Sequence, residues 1–158
     1  MKLKAGIGYD IHRLVAGRKL YLGGTAVPFT KGLLGHSDGD VVIHAVIDAM
    51  LGAMGEGDIG RLFPDTDPKY KGIRSVELLK AVMVRLAKKK YRLVNIDTVI
   101  VAQSPKLSPY INNMKRVLTP ILKLEKENLG IKAKTNEGLG PVGQGKAMAA
   151  WAIVLLEK

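Results

Sequence analysis

The run His36-Ser37-Asp38-Gly39-Asp40-Val41-Val42-Ile43-His44-Ala45-Val46-Ile47-Asp48-Ala49-Met50-Leu51-Gly52-Ala53-Met54 decides how this chain folds. A polar, glycine-containing opening gives way to an apolar stretch from Val41 to Met54. That pattern predicts a buried helix, with Ser37 or Asp38 as its N-terminal cap. Asp40, His44 and Asp48 interrupt the apolar character at i, i+4 and i+8 and so form one polar stripe. Unpaired polar groups in a core are costly, so the stripe needs a partner.

Upstream, Leu3 to Leu14 reads as a strand that carries Asp10 and His12. Residues 18–30 read as a hairpin about Gly23-Gly24. Downstream, glycines and prolines leave residues 55–72 as loop. Ser75 to Lys89 fits a helix capped by Ser75, with Val76, Leu79, Val82, Met83 and Leu86 on one stripe. Leu93 to Ala102 is β-branched and strand-like. Ser108-Pro109 supplies a cap and first-turn proline for another helix, which Pro120 should end or kink. Leu129 to Asn136 alternates weakly, as a strand does. Ala147 to Leu156 is apolar throughout and fits helix or buried strand equally. This order predicts an α/β (α+β) sandwich, a mixed sheet with helices on one face. At 158 residues, 1–158 is expected to be a single domain.

Composition narrows the function. There is no cysteine, so any metal must be held by His and carboxylates. The formal net charge is +11, which raises nucleic acid as a partner. Yet the cations are scattered, and the densest run, Lys88-Lys89-Lys90, falls at a helix end, where it suits the macrodipole. Aromatic residues make up only 5%, too few for stacking platforms. A phosphate-rich small molecule accounts for local positive charge as well, and no nucleic acid is expected. No apolar run approaches about 18 residues, so no membrane span is expected either. The strand-like segment begins almost at Met1, with no secretory or transit segment before it, and a cytoplasmic address is expected.

In a strand, Asp10 and His12 point to one face and can share a ligand. His44 is the strongest candidate for a third donor. Three Asp/His/His ligands leave a fourth position open, as in catalytic zinc sites. Asp48 or Asp40 would accept the spare imidazole proton. The plainer alternative puts Asp10 and His12 in a loop and leaves His44 as a solvated helix residue.

Two further stretches carry chemistry. Asp58, Ile59, Gly60, Phe63, Pro64, Asp65, Thr66 and Asp67 form an acidic, glycine-containing loop that can approach a polyol closely, or can simply be a turn with Asp caps. Ala102, Gln103, Ser104, Pro105, Lys106, Leu107 and Ser108 end a strand and open a helix, a place where anions dock. Lys134, Thr135, Asn136 and Glu137 end the next strand. Thr135 can donate to a phosphate, Lys134 can neutralise charge, and Glu137 can hold a harder metal such as magnesium. The glycines from Gly138 to Gly145 lack dinucleotide-fingerprint spacing.

Together these stretches resemble the 2-C-methyl-D-erythritol 2,4-cyclodiphosphate synthase family of the non-mevalonate isoprenoid pathway. The carriers are Gly8 to His12, Lys31 to His44, Gly57 to Pro68 and Ala102 to Lys106. The resemblance implies a ferredoxin-like sandwich in which 147–156 is a strand, and a homotrimer with active sites at subunit boundaries. It implies zinc on Asp10, His12 and His44, and magnesium or manganese reached by Glu137. His36 and Thr135 would stabilise the transition state, and Ser37 would touch substrate. Asp58 to Gly60 and Phe63 to Asp67 would line the methylerythritol end. Ala102 to Ser108 and Lys134 to Glu137 would cradle the cytidine diphosphate, with Pro141 and Gln144 beyond them. Pro141 and Gln144 stand where many members carry Phe and Arg, a departure at the trimer-axis cavity.

The implied activity is that of a phosphorus–oxygen lyase. A substrate 2-phosphate oxygen attacks the β-phosphorus of 4-diphosphocytidyl-2-C-methyl-D-erythritol 2-phosphate, releasing CMP and the cyclodiphosphate. No protein nucleophile is required, and none is apparent in the sequence. A metal-dependent phosphohydrolase and a nucleic-acid-binding protein remain as alternatives.

Overall fold

A computed structural model describes residues 2–158. Strand β1 (Leu3–Ala16) is followed by three short strands, β2 (Leu20–Leu22), β3 (Thr25–Val27) and β4 (Lys31–Leu33). Helix α1 (Val41–Met54), the short helix α2 (Ile59–Leu62) and helix α3 (Ser75–Lys88) come next. The chain finishes with β5 (Arg92–Val101), α4 (Ile111–Leu122), β6 (Leu129–Lys134), α5 (Gly140–Gly143) and β7 (Ala147–Glu157).

Five strands form one sheet in the order β4-β1-β7-β5-β6, in which β5 and β6 are parallel and the other pairs antiparallel. The ambiguous apolar end segment is thus a strand, and it lies at the sheet's centre between β1 and β5. Helix α4 makes the crossover that a parallel β5–β6 pair requires. The expected mixed sheet with helices on one face is the architecture found.

Small residues bring that face and its helix together. Even-numbered residues of β1 point toward α1, and a Cβ added at Gly6 or Gly8 would lie 2.0 Å from the Ala49 carbonyl oxygen or 1.9 Å from that of Ala45. On α1, the buried Ala45, Ala49 and Ala53 recur every fourth residue and present no bulk. Asp10 and His12 continue the same strand face, so the backbone contact that excludes a side chain at Gly8 aims both toward α1. Leu78, Leu79, Val82 and Leu86 of α3 and Met114, Leu118 and Leu122 of α4 complete the core.

Several local expectations need correction. The cap of α1 is Asp40, whose side chain accepts from the Val42 and Ile43 amides, and not Ser37 or Asp38. Ser75 is the first residue of α3 rather than its cap, and its amide donates to the distant Asp38. Pro120 does not break α4, which runs to Leu122 and stops at the left-handed Lys123. So near the end, the missing N–H removes only one late helical bond. Within 55–72 the chain finds two short helical turns, α2 and Pro68–Tyr70, each capped by an aspartate, Asp58 and Asp67. The hairpin forms as expected, with Gly23 and Gly24 both at positive φ.

The strand–helix contact makes a paired prediction. Gly8→Ala should cost about 3 kcal/mol or more, because the obstacle is backbone that cannot rotate away. Gly52→Ala, on the exposed side of α1 with its nearest obstacle 4.0 Å off, should stabilise by about 0.5–1 kcal/mol. Urea unfolding of both variants checks the pair, and equal effects would contradict this packing.

Candidate active site

Three donor atoms meet where β1 faces α1. Asp10 Oδ2 lies 2.9 Å from His12 Nε2 and 2.9 Å from His44 Nδ1, and the two nitrogens are 3.2 Å apart. These residues form the one Asp/Glu/His/Cys cluster of metal-binding geometry among the described residues. A tetrahedral ion with bonds of about 2.0–2.1 Å separates its ligands by roughly 3.3 Å, close to the observed spacing. The donor set suits zinc: two imidazoles, one carboxylate and no sulfur.

Electrostatics favour a charged centre. Burial works against ionisation of Asp10, but hydrogen bonds from His12 and His44 overcome it and hold the carboxyl far below the usual range. Burial likewise lowers His12, yet bonding to Asp10 leaves its pKa raised overall. The remaining ring nitrogens are occupied. His12 Nδ1 is 2.5 Å from the Leu34 carbonyl oxygen, and His44 Nε2 is 2.8 Å from Ser75 Oγ and 3.1 Å from Ser37 Oγ.

The aspartates expected to support His44 do other work. Asp40 accepts from the amides of Gly23, Gly24, Val42 and Ile43, joining the hairpin turn to the start of α1. Burial and the neighbouring Asp38 raise its pKa, while the amides oppose the shift. Asp48 accepts from the Ile59 amide at 2.7 Å and anchors α2. Burial raises the Asp48 pKa too, opposed by that amide. Neither carboxylate touches an imidazole. A helix-period stripe records direction but not reach, and each aspartate found a backbone donor first. The sequence reading missed the actual partner, Ser75. Its only local signal was a position at a helix start, read as a cap.

The triad lines a cavity of about 440 Å³ together with Gly35, His36, Ser37, Ile59, Gly60, Phe63 and Asp65. Tyr70, Ile73 and Leu78 complete it and were not foreseen. His36 Nε2 lies 3.3 Å from the Asp67 carbonyl oxygen. Asp58 and Asp67 act as caps, and Asp67 also pairs with Lys69 at 2.8 Å. Pro64 and Thr66 belong to the same loop but do not line the cavity.

A second cavity, of about 290 Å³, lies at the ends of β5 and β6. Ala102, Gln103, Pro105, Lys106, Leu107, Ser108, Lys134 and Thr135 line it, joined by Ala133, whereas Ser104 does not. Asn136 and Glu137 follow directly. Asn136 donates to the Leu139 carbonyl at 2.7 Å, and Glu137 accepts from the Thr135 hydroxyl at 3.2 Å. Pro141 and Gln144, grouped with this region from the sequence, do not line the cavity. They flank Val142, which packs on Val101, Ala147 and Ala149 at the sheet face turned away from α1. The two cavities share no residue.

Comparison with known proteins shows the family. The YgbB family model matches residues 3–157. A 2-C-methyl-D-erythritol 2,4-cyclodiphosphate synthase of Caldicellulosiruptor bescii is 58% identical, covering 97% of this chain and 98% of its own. The synthase of Clostridium acetobutylicum is 53% identical over 98% and 99%. Among solved structures, a synthase with CDP bound superposes with a TM-score of 0.90 at 40% identity, covering 98% of this chain and all of its own. Matched from end to end in sequence and in fold, this chain belongs to the YgbB family of 2-C-methyl-D-erythritol 2,4-cyclodiphosphate synthases.

Proposed function

We propose that this protein converts 4-diphosphocytidyl-2-C-methyl-D-erythritol 2-phosphate into 2-C-methyl-D-erythritol 2,4-cyclodiphosphate and CMP, as a lyase of isoprenoid precursor biosynthesis. The observation that carries the reading is the meeting of Asp10, His12 and His44 in the wall of a cavity of a volume that suits a small phosphorylated sugar alcohol. The CDP-bound relative supports a nucleotide substrate.

In this reaction a 2-phosphate oxygen attacks the β-phosphorus in line with the bond to CMP, so one P–O bond forms as another breaks. The nucleophile and leaving group both belong to the substrate. The protein must fold the substrate back on itself and neutralise charge. Ile59, Gly60, Phe63 and Asp65 shape the methylerythritol end, and Ser37 and His36 stand beside the triad as hydrogen-bonding groups. Lys106, Lys134 and Thr135 offer cations and a hydroxyl to the cytidine diphosphate, with His36 and Thr135 assigned to the transition-state charge. Held by Asp10, His12 and His44, zinc would supply Lewis-acid polarisation of phosphoryl oxygen, with magnesium at Glu137 as a template for the diphosphate. The cytoplasm is the proposed setting; no helix among the described residues is long and apolar enough to cross a membrane.

We further assign the working form as a homotrimer with active sites between subunits. One substrate must reach both the triad and the cytidine-type cavity, and on a single chain the two cavities share no lining residue. The sheet face turned away from α1 exposes Ile7, Tyr9, Ile11, Trp151 and Ile153. Ile7 pairs with Ile153 and Tyr9 with Trp151 across β1 and β7, making one continuous apolar surface. Such a patch suits burial against a second copy.

His44→Ala should abolish stoichiometric zinc and reduce CMP release at least about 100-fold while the fold persists, as read by metal analysis, circular dichroism and CMP assay. Retained zinc with normal turnover would overturn the ligand assignment, and a linear phosphate product would indicate hydrolysis. Trp151→Glu should yield a monomer by light scattering and lose activity despite an intact triad. A fully active monomer would refute the shared site.

A further inference from the structure

A chain of buried polar contacts lies behind the triad. Ser75 is fully buried, and its Oγ sits 2.8 Å from His44 Nε2 and 2.5 Å from Asp38 Oδ1. Asp38 is itself buried. Its Oδ2 accepts from the Ser75 amide at 3.1 Å and from Arg74 Nε at 3.0 Å. Arg74 is fixed in turn, donating to the Gly24 carbonyl at 3.0 Å and lying over the Tyr21 ring at 4.0 Å.

Proton counting gives this chain a direction. A hydroxyl carries one hydrogen, and a carboxylate paired with arginine only accepts. The Ser75 hydrogen therefore points to Asp38, and a Ser75 lone pair faces His44. At 2.8 Å that arrangement puts a hydrogen on Nε2, since two lone pairs would repel, and Ser37 Oγ at 3.1 Å is a second acceptor for it. The inner atom, Nδ1, faces Asp10 at 2.9 Å and His12, and it must give up its hydrogen bond to Asp10 when it ligates a cation. His12 shows the mirror arrangement: Nδ1–H donates to the Leu34 carbonyl, and Nε2 faces inward. The outer partner of each ring thus fixes the ring with its inner nitrogen directed at the cation position.

We propose that Ser75 is a positioning residue which, oriented by Asp38 and Arg74, holds the His44 ring through its Nε2–H with Nδ1 directed at the cation position and so preorganises the triad for a divalent cation. This deepens the reading of the triad as a metal centre and rests on it. Ser75 touches neither substrate nor the cation position; it acts through His44. The device spans three elements, because Asp38 precedes α1, Ser75 opens α3, and Gly24 belongs to the β2–β3 hairpin. Asp38 serves both ends, receiving the first amide of α3 that Arg74 leaves uncapped. A loop that fixes the start of one helix also fixes an imidazole on another.

The test begins with the unmodified, metal-free protein. Nitrogen-15 NMR of the His44 ring at neutral pH should show hydrogen on Nε2, and an Nε2 without one would overturn the proposal without any variant. Ser75→Ala should then free the His44 ring from its outer partner and weaken zinc, measured by competition with a chromophoric chelator, by about 10- to 100-fold. Ser75→Thr, which keeps the hydroxyl, should recover most of that affinity. Asp38→Asn should fall between the two. Zinc affinity within twofold of the parent in a folded Ser75→Ala protein would also overturn it. Failure of the parent protein to bind zinc would instead sink the metal reading itself, so the two failures are distinguishable.

Discussion

Everything functional in this fold depends on how closely one strand can lie against one helix. Gly6 and Gly8 on β1, set against Ala45, Ala49 and Ala53 on α1, let backbone meet backbone. Asp10 and His12 inherit that distance, and His44 lies on the facing helix surface. A side chain at Gly8 would push α1 outward and open the gap between donors. The site is therefore a consequence of packing, and the smallest residues of the chain are as necessary to it as the ligands.

Burying this much polarity is tolerated because nearly every group has a fixed partner. Asp40 takes four amides, Asp38 takes an amide, a hydroxyl and a guanidinium, and both imidazoles have their outer nitrogen occupied. The single buried side-chain polar atom without a partner among the described residues is Thr25 Oγ1, in β3. What remains open is the inner point on which three donor atoms converge. A divalent cation is the species that such a point accommodates best.

Much of this was legible in the residues alone. Period-two and period-3.6 patterns located the strands and long helices within a few residues, and the two-residue spacing of Asp10 and His12 already put them on one face. His44 stood out because it breaks an apolar helix. The second layer was not legible. Asp40, Asp48 and Ser75 find partners 11 to 31 residues away or at helix ends, and no local period encodes such reach. Likewise β7 has no alternation to read, because it is central in the sheet and apolar residues occupy both of its faces. Resemblance settled that segment where pattern did not.

The central claim is that two imidazoles and one carboxylate from β1 and α1 jointly hold one cation. X-ray absorption at the zinc edge of the reconstituted protein tests it most directly. The account predicts a four-coordinate shell at about 2.0 Å made of nitrogen and oxygen, with the outer-shell scattering of two imidazole rings. A six-coordinate, all-oxygen shell without imidazole scattering would contradict it.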